Sequence, residues 1–201
     1  MAVIGLLTTF NAEFERVSMQ GVRRELVERQ AALLGLELWA VDLPWPCPNE
    51  VYEQRMASEM KKAAELGVSD VVFGDLFLED VRNYRINRLS GTAITPRFPI
   101  FGQDTADLAR EMIDGGVRAM LTAVDTSQLS GDFVGREFDE ELLEDLPEDV
   151  DPLGENGEFH TFCYDGPVFP RPVECYLGEL VDRGRFVFAD VVPGSSVSRR
   201  R

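Results

Sequence analysis

The sequence predicts an α/β fold, a parallel, doubly wound, Rossmann-like sheet followed by a small C-terminal α+β unit. Three observations carry that prediction. Near-continuous apolar runs such as residues 3–9 have the texture of strands covered on both faces. These runs alternate with stretches whose apolar residues recur at helical spacing. Beyond residue 126 the texture changes to an acidic helical stretch and then to short alternating runs of the antiparallel kind.

Taken in order, the first strand arrives with no lead-in. Ser18 predicts the cap of a helix carrying Val22, Leu26, Leu33 and Leu34, and Gly35 its stop. A second strand, 36–43, runs into a turn-rich "PWPCPNE". Asn49 then caps a helix bearing Met56, Met60 and Ala64, which ends at Gly67. The third strand, 69–75, finishes on Gly74 and Asp75, and a short charged helix spans 79–89. A strand at 97–102, a helix capped by Asp104 with Leu108, Met112 and Ile113 inward, and a strand at 117–124 complete the sheet. Two antiparallel strands follow near 173–180 and 185–192. Residues 1–125 read as the sheet domain, 126–195 as the C-terminal unit and 196–201 as a disordered tail. Ligands of such sheets bind off the carboxyl ends of the strands.

Composition narrows the function. The chain has 201 residues, 44% of them hydrophobic, enough for a real core, and no run approaches a membrane span. A net charge of −16, with acidic residues outnumbering basic ones 36 to 20, argues against a broad nucleic-acid face. It leaves room for a small anion held by local N–H groups and one or two Arg. Three Cys without a CxxC pair give a reduced, cytoplasmic pattern, with neither a disulfide framework nor a structural zinc site. A single His excludes a multi-His metal centre, so no metal-ligating residues are assigned. The serine-hydrolase elbow, the HExxH helix and the dinucleotide glycine motif are all missing.

The most unusual stretch is "GENGEFHTF", 154–162. Two glycines bracket a carboxylate, and period-2 alternation then sets Glu158, His160 and Phe162 on one strand face. The alternatives are a site or a hairpin turn with a polar face. "GDFVGREF" offers Gly135 and Arg136 to an anion, or a loop Arg paired with a nearby acid. Arg82, Arg85 and Arg88, spaced by three just beyond Gly74 and Asp75, could share a helix face or serve Glu79 and Asp80.

With "LVERQAALLGLEL", "VVFGDL", "PRFPIFG" and "AMLTAVDTSQLSGDFVGREF", the glycine motif resembles the diphthine–ammonia ligase (diphthamide synthase) family. That family belongs to the PP-loop (N-type ATP pyrophosphatase, adenine nucleotide alpha hydrolase-like) superfamily. The motifs run in the family's order from residue 3 to about 170. The resemblance implies ATP and Mg²⁺, a small-molecule or protein carboxylate acceptor that is adenylated, and ammonia that displaces AMP to form an amide. It implies nucleotide contacts at Thr8, Thr9, Gly74, Asp75 and Arg85. Gly135, Arg136, Gly154, Asn156 and Gly157 would meet substrate or phosphate, and Glu155, Glu158 and His160 would carry the catalysis. His160 stands where many members have Glu, and Gln20 where His is common after Met19.

Members begin with a strand ending in S-G-G-K-D-S, whose N–H groups wrap the pyrophosphate; no such loop occurs in this sequence. Three readings follow. One is an ATP-dependent amide ligase whose first segment is lost from the sequence; the second is a degenerate member that binds a nucleotide or small ligand without turnover. The third is a partner domain completed by a separate polypeptide. An exposed sheet edge where that strand belongs would invite association, including with a second copy.

Overall fold

The computed structural model describes residues 2–194. The expectation placed on the tail at 196–201 lies outside the described residues. Within them the chain is a mixed α/β structure with three small sheets, two of them in the N-terminal half and one antiparallel sheet in the C-terminal half. A single doubly wound parallel sheet is not what it forms.

The first strand, β1 (Gly5–Asn11), is joined by helix α1 (Arg24–Leu34) to β3 (Glu37–Leu43), and the two strands pair in parallel from Gly5 opposite Glu37 to Asn11 opposite Leu43. A two-residue strand, β2 (Arg16–Val17), takes the other edge of β1 only at Phe10 and Asn11. Phe10 is the one fully buried residue of β1, so the apolar run that reads as covered on both faces is half-buried for most of its length.

The helix expected from Ser18 begins instead at Arg24, with Arg23 at its cap and no side-chain cap bond. The intervening residues are used by a tight turn: Ser18 N donates to Thr9 O, and Val17 N to Val22 O. Met19 and Gly21 take φ of +70° and +69°, and a Cβ on Gly21 would stand 2.8 Å from the Phe188 ring. Gly35 ends α1 in the left-handed conformation, as expected.

Helix α2 (Asn49–Glu65) leads to a second parallel pair, β4 (Asp70–Val72) and β5 (Thr95–Arg97), joined by α3 (Glu79–Leu89). Asn49 is the first residue of α2 and not its cap. The strand expected at 97–102 stops at Arg97. Pro99 has no N–H for a ladder, and the chain turns through Phe101 N to Phe98 O and Gly102 N to Leu76 O.

Helix α4 (Thr105–Asp114) is capped as expected: the Asp104 carboxylate accepts from Asp107 N at 3.0 Å. It leads into β6 (Arg118–Asp125), which reads as a parallel strand and is instead an inner strand of the antiparallel sheet. There the order is β7 (Phe159–Asp165), β6, β9 (Phe186–Pro193), β8 (Cys175–Asp182). Burial on both faces explains the misreading, because a continuous apolar run reports coverage and not strand direction. One face of β6 puts Ala119 and Leu121 among Leu142 of α5 (Glu140–Asp145) and Phe159. The other puts Met120 among Phe10, Leu26 and Val191. The β1–α1–β3 unit therefore packs against this sheet, and Arg16 and Arg23 reinforce the contact by both bonding Asp190 of β9.

Candidate functional site

Three segments meet around an open, polar cleft of about 420 Å³. The turn after β2 contributes Gln20; the end of β4 and the face of α3 contribute Gly74, Asp75 and Arg85; the glycine motif contributes Gly154, Glu155, Gly157, His160 and Thr161. The cleft thus lies off the carboxyl end of a parallel strand, where α/β sheets hold their ligands.

On the β4 side the charges are matched. Arg85 Nε donates to Asp75 Oδ2 at 2.7 Å and Nη2 to Oδ1 at 3.0 Å, a bidentate pair whose guanidinium lies 4.4 Å from the Phe73 ring centroid. Asp75 is buried, at 8% exposure, so its orientation is fixed by its partner. Of the three α3 arginines only this one reaches the cleft. Arg82 lies over Phe98 and Phe101, and Arg88 pairs with Glu53, so the shared face read from their spacing does not form.

The glycine motif is built on two buried carboxylates. Asp151 Oδ2 accepts from Leu153 N at 3.2 Å and Glu155 N at 2.8 Å. Glu158 Oε1 accepts from Asp151 N at 3.0 Å and Asn156 Nδ2 at 2.9 Å. Gly154 takes φ of +69° where a Cβ would stand 2.7 Å from Phe159 O, so only glycine fits there. At Gly74 and Gly157 a Cβ would meet nothing within 4 Å, which leaves the backbone open to a ligand. Glu155 reaches across to the other wall, where its Oε1 accepts from Leu76 N at 2.8 Å. His160 is half-buried, and burial pushes its pKa below the usual histidine value, which keeps the imidazole neutral at pH 7.

Of the residues proposed from sequence, the fold brings together Gly74, Asp75, Arg85, Gly154, Glu155, Gly157 and His160. Thr8 and Thr9 stay in β1 and do not line the cleft; Thr9 O is taken by Ser18 N. Gly135 and Arg136 lie elsewhere: Gly135 N donates to Leu121 O, and Arg136 is 2.8 Å from Asp145. Glu158 faces inward at only 2% exposure, and exposed Asn156 donates its Nδ2 to it, so both serve the motif's own scaffold. Sequence reasoning passed over Asp151 and did not propose Gln20 as a site residue. No short motif marks Asp151, whose partners are backbone N–H groups. Gln20 carries one signal, its place where the resembled family commonly has His after Met19.

Among the described residues no group of three or more His, Cys, Asp or Glu is placed to hold a metal ion. Mg²⁺ commonly binds through one or two carboxylates and the phosphates of its substrate. Glu155 Oε2 is the cleft oxygen left for that role, since both Asp75 oxygens are bonded to Arg85 and Glu155 Oε1 to Leu76. No described helix is long and apolar enough to cross a membrane.

Residues 104–187 match the family model of the diphthamide synthase C-terminal domain, a segment that starts at the cap of α4 and takes in β6, β7 and most of the glycine motif's surroundings. No curated protein matches the chain.

Proposed function

We propose that the protein is an ATP-dependent amide-forming ligase of the diphthine–ammonia ligase type, within the PP-loop superfamily. One observation carries the reading. The glycine motif, inside the segment similar to the diphthamide synthase C-terminal domain, faces Asp75 beyond the end of β4 and Arg85 of α3 across one cleft.

ATP supplies the activation that makes a carboxylate a good acyl donor. Arg85, beside the open backbone at Gly74, is the group that would hold a phosphate oxygen; Gly157 leaves its own backbone free for the acceptor. With one oxygen on Leu76 N, Glu155 retains a second for Mg²⁺. His160, neutral at pH 7, can take the proton that an ammonium ion must lose before it attacks as ammonia. Gln20, on the opposite rim, offers a donor and an acceptor to the acceptor substrate. The reading assigns the protein to the cytoplasm and makes the half-covered edge of β1 a place for association with a second strand-bearing surface.

A second reading, nucleotide binding without turnover, is favoured by the charge balance. Asp75 neutralises Arg85 and Glu155 adds a negative charge, so among the described lining residues no unpaired cation is left to stabilise the charge that develops on a transferring phosphoryl group.

Calorimetric titration with ATP and Mg²⁺, alongside an assay of AMP and pyrophosphate release with ammonium and a carboxylate acceptor, separates the two. Binding with release supports the ligase; binding without release supports the second reading; no binding at millimolar ATP overturns both. His160→Ala is expected to slow AMP release about 10²–10⁴-fold, to spare the first turnover of pyrophosphate release and to leave ATP affinity within about three-fold.

A further inference from the structure

We propose that Glu155 is a positioning residue and not an acid or base, and that Asp151 and Glu158 hold it in place. Its carboxylate is the strut that fixes the β4–α3 wall of the cleft relative to the glycine motif.

The bonds form a chain from one wall to the other. Glu158 is anchored in the antiparallel sheet, where its carbonyl accepts from Asp125 N of β6 at 2.9 Å. Its carboxylate holds Asp151 N, and the Asp151 carboxylate in turn holds Glu155 N at 2.8 Å. Glu155 Oε1 then holds Leu76 N. Leu76 is the residue after Asp75, and its own carbonyl accepts from Gly102 N at 2.7 Å. Moving Glu155 therefore moves the Asp75–Arg85 pair and the 98–102 turn together.

The role assigned to Glu155 follows from how its atoms are spent. A general base needs a lone pair free to take a proton in the reactive geometry. Oε1 is committed to a backbone N–H, whose loss would leave Leu76 N without its partner, and the proposed function gives Oε2 to Mg²⁺, so neither oxygen is kept for proton transfer. Asp151 serves as the hub, with a carboxylate that is 8% exposed and bonded to two backbone N–H groups of the motif.

The test uses amide hydrogen exchange of the full chain, read at Leu76 and at the β6 amides, with Glu155→Ala, Glu155→Gln, Asp151→Ala and Asp151→Asn. A lost charge-assisted hydrogen bond corresponds to about a ten-fold faster exchange. Glu155→Ala and Asp151→Ala are both expected to speed Leu76 by about that factor while β6 keeps its protection. Glu155→Gln keeps an oxygen for Leu76 N and is expected to retain most of the protection, as is Asp151→Asn, the variant to read should Asp151→Ala fail to fold. An unchanged Leu76 in either alanine variant overturns the strut, and so does acceleration of β6 by the same factor, which marks a merely structural role.

The consequence for ligand binding rests on the nucleotide reading and is measured separately. Measured without Mg²⁺, so that the oxygen assigned to the metal plays no part, ATP affinity should fall about ten-fold in Glu155→Ala and stay within about three-fold in Glu155→Gln. Equal losses in the two would restore Glu155 as a charged or proton-transferring group. Failure of every form to bind ATP would overturn the nucleotide reading, with the exchange result at Leu76 unaffected.

Discussion

The two walls of the cleft belong to regions of very different density. Behind the glycine motif, Leu121, Val124 and Leu142 are at 0% exposure and Phe159 at 2%, within a cluster that also takes in Val134, Phe138 and Ala189. Behind Asp75 and Arg85, the buried cluster consists of Ala63, Leu89 and Ile94, with half-buried Trp39, Met60 and Phe73 around it. Helices α2 and α3 each bury a single residue. One wall is thus rigid by packing, while the other depends on a few polar links. A ligand that bridges them orders the thin wall against the dense one, and the affinity it retains falls by the cost of that ordering.

Core truncation should break the comparison if it is wrong. Leu142→Ala, in the dense half, is expected to cost about 2–5 kcal/mol and to lower the midpoint of urea unfolding for every probe together. Leu89→Ala is expected to cost about 2 kcal/mol, at the low end, because the thin packing around this buried residue relaxes into the gap. Its effect should concentrate in α2, α3 and the β4–β5 amides, which exchange through local opening. Equal losses, with both variants unfolding the whole chain, would show that the two halves share one cooperative core after all.

The same contrast governs what could be read in the sequence. Elements closed by their own chemistry were legible: α4 behind the Asp104 cap, α1 ending on left-handed Gly35, and α3 over its full span. β6 was legible as a buried strand, but its direction was not. That depends on where β7 and β9 return, and nothing local to residues 118–125 encodes it. The start of α1 was misplaced because Ser18 spends its N–H on Thr9, a partner set by tertiary pairing of β1 with β2. In the site, the motif's residue types announced chemistry but could not say which way each pointed. Glu155 faces the cleft and Glu158 the interior, although both follow a glycine-rich turn, because the left-handed residues at Gly154 and Gly157 redirect the chain between them. Arg136 looked equally suited to an anion, and Asp145, nine residues on, claims it.

A smaller effect tests how the β1–α1 unit is tied to the dense sheet. Asp190 accepts from Arg16 Nη2 at 2.9 Å, from Arg23 Nε at 2.8 Å and from Arg23 Nη2 at 2.6 Å. The hydrogen bonds from Arg23, opposed in part by burial and helped by Arg16, hold its pKa below the usual aspartate value. A carboxylate with a depressed folded pKa contributes stability that is fully present above its unfolded pKa, about 3.9, and is lost as pH falls through the folded value. Asp190→Asn keeps an acceptor but removes the charge, and is expected to cost about 1 kcal/mol at neutral pH. The gap between parent and variant should therefore hold steady from pH 7 down to about pH 4 and close below it in thermal unfolding. Because Arg16 and Arg23 flank the turn that presents Gln20, a steady gap with no closure in acid would mean that the turn is held by the Phe188 contact at Gly21 and not by the ion pair.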